Sequence, residues 1–280
     1  MNLKRMVWLI WRNKHSLNRP IEATISRMKN IPLEKRVIIP DGQEMTVVLP
    51  DIPSNHLYLN IPYETDVIAF MDKALMPGMT FFDIGAHMGY HTLLARNRVG
   101  ESGKVVSFEP IDETYKILEL NCGQYPNVTL EKMAVADGSS PEVLLKYYGI
   151  RFASQSTATN PRLPKHLHKL PKPQLRYAQA VSIDHYVQES SDVPDFIKID
   201  IEGGEMDALR GAEDTISHYR PPITIEVGDF GRVERNSSIS CIRFLEKLGY
   251  GFFEHNGNGI MPHKPKDVYV GDNNILCSPV

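Results

Sequence analysis

A ten-residue stretch from Thr80 to Gly89, TFFDIGAHMG, constrains this chain more than any other part of it. Phe81, Phe82 and Ile84 read as a short buried strand, which Gly85 and Gly89 then break. Tyr90, Thr92, Leu93, Leu94 and Ala95 continue as a helix. A strand that ends in a glycine turn and feeds a helix forms a crevice for an anion or a cofactor. The turn lets a ligand approach the backbone, and the helix N-terminus offers unpaired N–H groups and a positive partial charge. Twenty residues after Gly89, the run Val105-Val106-Ser107-Phe108 ends in Glu109. An acid at the tip of the second strand can reach both hydroxyls of a ribose bound over the first turn. The stretch therefore predicts an enzyme built round a nucleoside-containing cofactor.

The chain downstream repeats that unit. Strands are expected at Thr80–Ile84, Lys104–Phe108, Val128–Val135, Glu142–Tyr148, Ala178–Val181, Phe196–Ile201 and Ile223–Val227. Helices are expected at Tyr90–Arg98, Asp112–Gln124, Ile183–Gln188, Glu205–Ser217 and Ser238–Leu248. Alternating strands and helices predict an α/β fold with a mostly parallel sheet and helices on both faces. Tyr250–Glu254 and Asn274–Cys277, which follow the last helix, suit an antiparallel edge. Upstream, Arg36-Val-Ile-Ile-Pro and Met45-Thr-Val-Val-Leu flank Asp41-Gly42, the signature of a β-hairpin, and Thr65–Met76 has helical spacing. The division expected is a basic N-terminal helix and hairpin extension over 1–60 and the main domain over 61–280.

Composition excludes several classes. With 42% hydrophobic and 23% charged residues and a net charge of −3, the chain lies in the ordinary globular range and gives no sign of nucleic-acid binding. Cys122, Cys241 and Cys277 are too few and too scattered for a disulfide framework or a zinc site, which fits a reducing, cytoplasmic setting. Residues 1–36 carry nine Lys/Arg against Glu22 and Glu34. Met6–Trp11 is too short to span a bilayer or to serve as a signal-peptide core. Trp8 and Trp11 among basic residues suit a helix at 1–19 that lies on an anionic membrane or docks on protein. The segment Gly149–Arg176 carries Arg151, Arg162, Lys165, Lys169, Lys172 and Arg176 and no acid. Such a loop suits an anionic acceptor or a solvated excursion. His166 and His168 lack companions for a metal site, and none is expected there.

Dinucleotides and S-adenosylmethionine both use a crevice of this type. The turn here is Asp83-Ile-Gly85-Ala-His-Met-Gly89, with no G-x-G-x-x-G. The Asp83 carboxylate would repel a pyrophosphate, whereas it suits an ammonium and a sulfonium. An NAD-dependent oxidoreductase is thus the weaker alternative, beside a non-catalytic nucleotide-binding scaffold. A second block, DFIKIDIEGGE from Asp195 to Glu205, joins FFDIGAHMGYHT, SFEP, MAVAD at Met133–Asp137, SIDHY at Ser182–Tyr186 and ITIEV at Ile223–Val227. Over residues 60 to 250 this set closely resembles the FkbM-type methyltransferase family. The resemblance implies a seven-stranded class I methyltransferase (Rossmann-like) fold and methyl transfer from S-adenosylmethionine, usually to a hydroxyl oxygen of a small molecule. It further implies that Asp83, Gly85, Ala86, His87 and Gly89 surround the methionine end and that Glu109 holds the ribose. Met133 to Asp137, with Ala134 and Asp137, would border the adenine, and Asn121 is a further candidate. The family more often has Asn where His87 stands.

Asp200 and Glu202 end the fourth strand, and Lys198 precedes them by two, so the three nominally share one face. An apolar strand does not bury three charges for stability alone, because unpaired buried charge is costly. An alcohol is a weak nucleophile that gains about 10²–10⁴-fold from a base near it. Asp200 is the first candidate for that base and Glu202 the second, with Lys198 holding Asp200 ionised. His87 and His91 are either bases or packed imidazoles, and Glu226 shares the rim. Magnesium on Asp200, Glu202 and Glu226 is compatible with the spacing but not required by it. The expected acceptor is a sugar hydroxyl of a glycan or glycolipid, anionic or lipid-linked, with the protein cytoplasmic or at the membrane periphery.

Overall fold

The computed structural model describes residues 18–158, 170–229, 238–269, 271 and 273–280. Trp8, Trp11, Arg162, Lys165, His166, His168 and Lys169 lie outside the described residues. Residues 18–29 form helix α1. The hairpin β1 (Leu33–Ile38) and β2 (Glu44–Leu49) follows, then α2 (Ile52–Tyr58) and α3 (Thr65–Ala74). The repeating part runs β3 (Thr80–Ile84), α4 (Tyr90–Val99), β4 (Lys104–Phe108), α5 (Asp112–Cys122), β5 (Val128–Glu131) and β6 (Ala134–Val135). Next come β7 (Glu142–Tyr147), a 3₁₀ turn at Ile150–Gln155, β8 (Gln174–Val181), α6 (Ile183–Ser190) and β9 (Phe196–Ile199). The chain closes with α7 (Glu205–Arg210), α8 (Glu213–Tyr219), β10 (Ile223–Val227), α9 (Ser238–Lys247), β11 (Tyr250–His255), β12 (Ile260–Pro262) and β13 (Asn273–Pro279).

The central sheet has the order β12-β11-β13-β10-β9-β3-β4-β5. Strands β10, β9, β3, β4 and β5 are parallel, and β13 runs antiparallel to β10 and β11. Seven of these strands are the expected class I sheet, and β12 adds a short eighth at the edge. The alternation of β3 explains why helices cover both faces. Phe81 stacks on Phe196 in one buried cluster, with Val47, Leu49, Leu93 and Leu118. Phe82 meets Phe108 and Tyr186 edge-on in the other, with Leu209, Ile242 and Leu245. Burial on both faces accounts for the unbroken apolar runs in these strands.

Three local expectations are corrected. The single strand expected over Val128–Val135 divides. Val128–Glu131 joins the central sheet, while Ala134–Val135 pairs with β8 in a small sheet of order β6-β8-β7. The helix expected over Glu205–Ser217 divides at Gly211, where a Cβ would lie 2.0 Å from the Ala136 carbonyl oxygen. The stretch 33–60 reads as β structure throughout in the sequence, but its end is helix α2, which Asp51 caps by accepting from the Ser54 N–H at 3.0 Å.

Candidate active site

The chain leaves β3 toward β4 and β5 on one side and returns to β9 on the other, so β3 and β9 flank the switch point where open α/β sheets bind ligands. A cleft of about 700 Å³ opens there. The β3–α4 turn, the ends of β4, β9 and β10, and α2 and α3 from the N-terminal layer line it.

The turn is built by contact. Gly85 has φ +82°, and a Cβ there would stand 1.9 Å from the Asp200 carbonyl oxygen. Gly89 has φ +93°, with Cys122 Sγ and Leu118 Cδ1 within 3 Å of where a Cβ would sit. His87 is also left-handed, at φ 51°. Asn is the residue most at ease in that region and His is also enriched there, so the exchange with the family's usual Asn keeps the backbone.

Glu109 is the most completely held carboxylate of the site. Its Oε1 accepts from the Ile111 N–H and the Thr114 hydroxyl, both at 2.8 Å, and its Oε2 accepts from the His87 N–H at 3.0 Å. Burial pushes its pKa up, and His87 and these donors oppose that shift. His87 Nε2 lies 3.5 Å from Asp51 Oδ1. Burial pushes the imidazole pKa down, but Asp51, then Glu109 and Asp200, outweigh it and leave the value raised.

At the other end Lys198 is buried among acids. Its Nζ lies 3.5 Å from Asp83 Oδ1 and 3.4 Å from Asp200 Oδ2 and donates to the Gly85 carbonyl at 3.3 Å. Burial lowers its pKa, while Asp200, Asp83 and Glu64 together raise it well above the usual lysine range. Glu202 lies in the turn beyond β9 at φ 57°, and its Oε1 accepts from Gln155 Nε2 at 2.7 Å. The structure thus joins Lys198 to Asp200 and gives Glu202 a different partner, since the strand ends at Ile199.

Of the residues expected round the cofactor, Gly85, Ala86, His87, Glu109, Met133 and Ala134 line the cleft. Asp83 does not. It is fully buried beneath the turn, where its Oδ2 accepts from the Thr92 hydroxyl at 2.7 Å. Gly89 packs against α5 rather than on the wall, and Asp137 is exposed and accepts from the Ser139 N–H at 2.9 Å. Asn121 is buried and serves the scaffold. It accepts from the Thr46 N–H and donates to the carbonyls of Thr46 and Met88, each at 2.8 Å. Arg176 is committed as well: both its terminal nitrogens meet the Glu113 carboxylate, at 2.5 and 2.9 Å. Among the described residues no group of His, Cys, Asp and Glu could hold a metal ion, so the spacing-based allowance for magnesium on Asp200, Glu202 and Glu226 finds no support. Among the described residues no helix is long and apolar enough to cross a membrane.

Sequence reasoning missed Glu64, Tyr63 and Asp51. Glu64 precedes α3 at φ 43°, and its Oε2 lies 3.2 Å from His91 Nε2. Burial, and then Asp200, push its pKa up to about 8 against the opposing charge of Lys198. Burial, then Lys198 and Arg98, hold His91 well below the usual histidine value. The acid next to the expected helix at Thr65 was the only sequence signal for Glu64.

A Methyltransferase FkbM domain matches residues 83–252. The chain belongs to the FkbM methyltransferase family. Among solved structures it is similar to an FkbM methyltransferase from Methylobacillus flagellatus KT, with 16% identity and a TM-score of 0.43 over 81% of this chain and 54% of that one. The chain therefore spans about half the length of that protein. An S-adenosylmethionine-dependent O-methyltransferase from Thermotoga maritima is 13% identical, with a TM-score of 0.44 over 88% of this chain and 77% of that one. A Streptococcus mutans methyltransferase in complex with S-adenosylhomocysteine is 11% identical, with a TM-score of 0.45 over 76% of this chain and 96% of that one. No curated protein matches.

Proposed function

We propose that this FkbM-family chain is an S-adenosylmethionine-dependent O-methyltransferase acting on a hydroxyl of a sugar in a glycan or glycolipid. The observation that carries the reading is Glu109, fixed by three donors beside a glycine turn. Its Oε1 already accepts two of these bonds, while Oε2 accepts one and keeps a lone pair for a ribose hydroxyl. Ile111, Met133, Ala134 and Val135 supply apolar walls next to it, which suit an adenine. When bound, S-adenosylmethionine supplies a methyl group activated by its sulfonium.

The chain's own residues then have two tasks. The first is to hold a hydroxyl oxygen in line behind the methyl carbon, where positioning supplies much of the rate. The second is to remove the hydroxyl proton. Asp200 is the base in this reading, supported by its place on the cleft wall and its Oδ2 lying 3.4 Å from Lys198 Nζ. Lys198 keeps that carboxylate in place. Beyond Asp200 the cleft continues past Glu202, Asp207, Glu226, His255 and Asn274. Lys198 is its one lysine or arginine among the described lining residues. An acidic wall repels anions and accepts hydrogen bonds from hydroxyls, so it supports a neutral polyol acceptor over an anionic one or a nucleic acid. Arg176, already paired with Glu113, does not weigh against this.

The test is to incubate the protein with methyl-labelled S-adenosylmethionine and a glycolipid extract, then hydrolyse the products to monosaccharides. The reading expects labelled O-methyl ethers on sugar, at least 100-fold fewer with Asp200→Asn. Label on nitrogen or carbon, or an undiminished Asn variant, would contradict it.

A further inference from the structure

At the floor of the cleft three carboxyl groups, from Glu64, Asp83 and Asp200, surround the single ammonium of Lys198. Two of them are engaged. Asp83 is buried against Thr92 and Lys198 and has no face on the cleft, and Asp200 lies against Lys198. Glu64 is different. Its side chain is 18% exposed and lines the cleft, it is hydrogen-bonded to Tyr63, and its Oε2 lies 3.2 Å from His91 Nε2 without an aligned hydrogen bond among the described residues. Its left-handed backbone at φ 43° is a conformation that costs a non-glycine residue energy and that clusters at ligand sites. Asp200 and Glu64 both open on the cavity, but Asp200 faces the Lys198 ammonium, which leaves Glu64 as the carboxyl to receive a cation.

We propose that Glu64, and not Asp83, is the counter-ion for the α-ammonium of the cofactor's amino-acid end, exchanging its own proton for that cation as the cofactor binds. The inference rests on the S-adenosylmethionine reading above. The exchange balances: the Glu64 carboxyl releases one proton to solvent, and the carboxylate left behind faces the ammonium. The groups facing Glu64 are Tyr63 and Asp66 from its own segment, Tyr90 and His91 from α4, and Lys198 and Asp200 from the end of β9. His91 titrates well below neutrality, and Tyr63, Tyr90 and Lys198 titrate far above it. Glu64, pushed up to about 8, holds a proton that is exchangeable near pH 7. His87, also raised, sits on the Glu109 side of the turn.

The experiment is calorimetry of the full chain at pH 7 in buffers of different ionisation heat. S-Adenosylhomocysteine carries the ammonium. 5′-Methylthioadenosine has the same nucleoside without the amino acid, so it controls for His87. We expect S-adenosylhomocysteine to release most of one proton, since Glu64 is largely protonated at pH 7, and 5′-methylthioadenosine to release none. Glu64→Gln should bind S-adenosylhomocysteine at least tenfold more weakly and without proton release, with 5′-methylthioadenosine affinity unchanged. Binding of S-adenosylhomocysteine without release, or release that persists in the Gln variant, would overturn the assignment and leave the methyltransferase reading standing. Equal release with both ligands would also overturn it, by tracing the proton to the nucleoside side, and that comparison needs no variant. Failure of wild type to bind either ligand would remove the reading itself and this inference with it.

Discussion

Glu64 shows how one side chain can couple stability to pH. Its pKa rises from the usual 4.5 to about 8 on folding, so between those values the unfolded chain binds fewer protons at this site. Stability must then fall as pH rises through that window. One pKa unit corresponds to about 1.4 kcal/mol, which sets an upper bound of about 4–5 kcal/mol, reduced by the side chain's partial exposure. Gln keeps the shape and cannot ionise. Glu64→Gln is therefore expected to melt within a degree or two of wild type at pH 4.5 and several degrees above it at pH 8.5. Thermal unfolding followed by circular dichroism across pH checks this, and a constant gap would contradict it. His87 has the same sign, for a different reason. Its raised value makes its pairing with Asp51 strongest at low pH, lost as pH climbs through that value.

The cofactor turn is held from below by elements that are distant in sequence. Asn121 on α5 ties the backbone of Thr46 on β2 to the Met88 carbonyl in the turn, so the N-terminal hairpin and the glycine turn share one anchor. Removing it leaves buried peptide groups without partners. Asn121→Ala is expected to cost about 2–3 kcal/mol in urea unfolding and to speed hydrogen exchange at the Thr46 amide. An effect below about 0.5 kcal/mol would mean that water replaces the side chain. At this scale the sequence was readable where the pattern is local. The turn, the hairpin and the strand–helix repeats stand where apolar period, Asp-Gly and Gly-rich breaks put them. It was unreadable where a contact from far away decides. Nothing near Gly211 reveals that the Ala136 carbonyl will press against it and split the helix. Nothing in MAVAD says that Ala134 and Val135 leave the main sheet for β8.

In the whole molecule the cleft is a product of three separate stretches: the turn with Glu109, the Lys198–Asp200 end of β9, and the N-terminal layer that brings Asp51, Tyr63 and Glu64. The first two were legible because both carry motifs. The third was not, since Glu64 is a single acid whose importance arises only from the burial and charge that folding places round it. Asp83 illustrates the converse: an acid in the motif whose charge is spent on Lys198 and Thr92 beneath the site. In the proposed reading Glu109 and the glycine turn hold the nucleoside of S-adenosylmethionine. It is tested most directly by calorimetry of S-adenosylhomocysteine and NAD against wild type and Glu109→Ala. The expected result is micromolar binding of S-adenosylhomocysteine, no binding of NAD, and a loss of about 100-fold in the variant, roughly 2–3 kcal/mol for a charged hydrogen-bond acceptor. Tight binding of NAD, or undiminished binding of S-adenosylhomocysteine by Glu109→Ala, would contradict it.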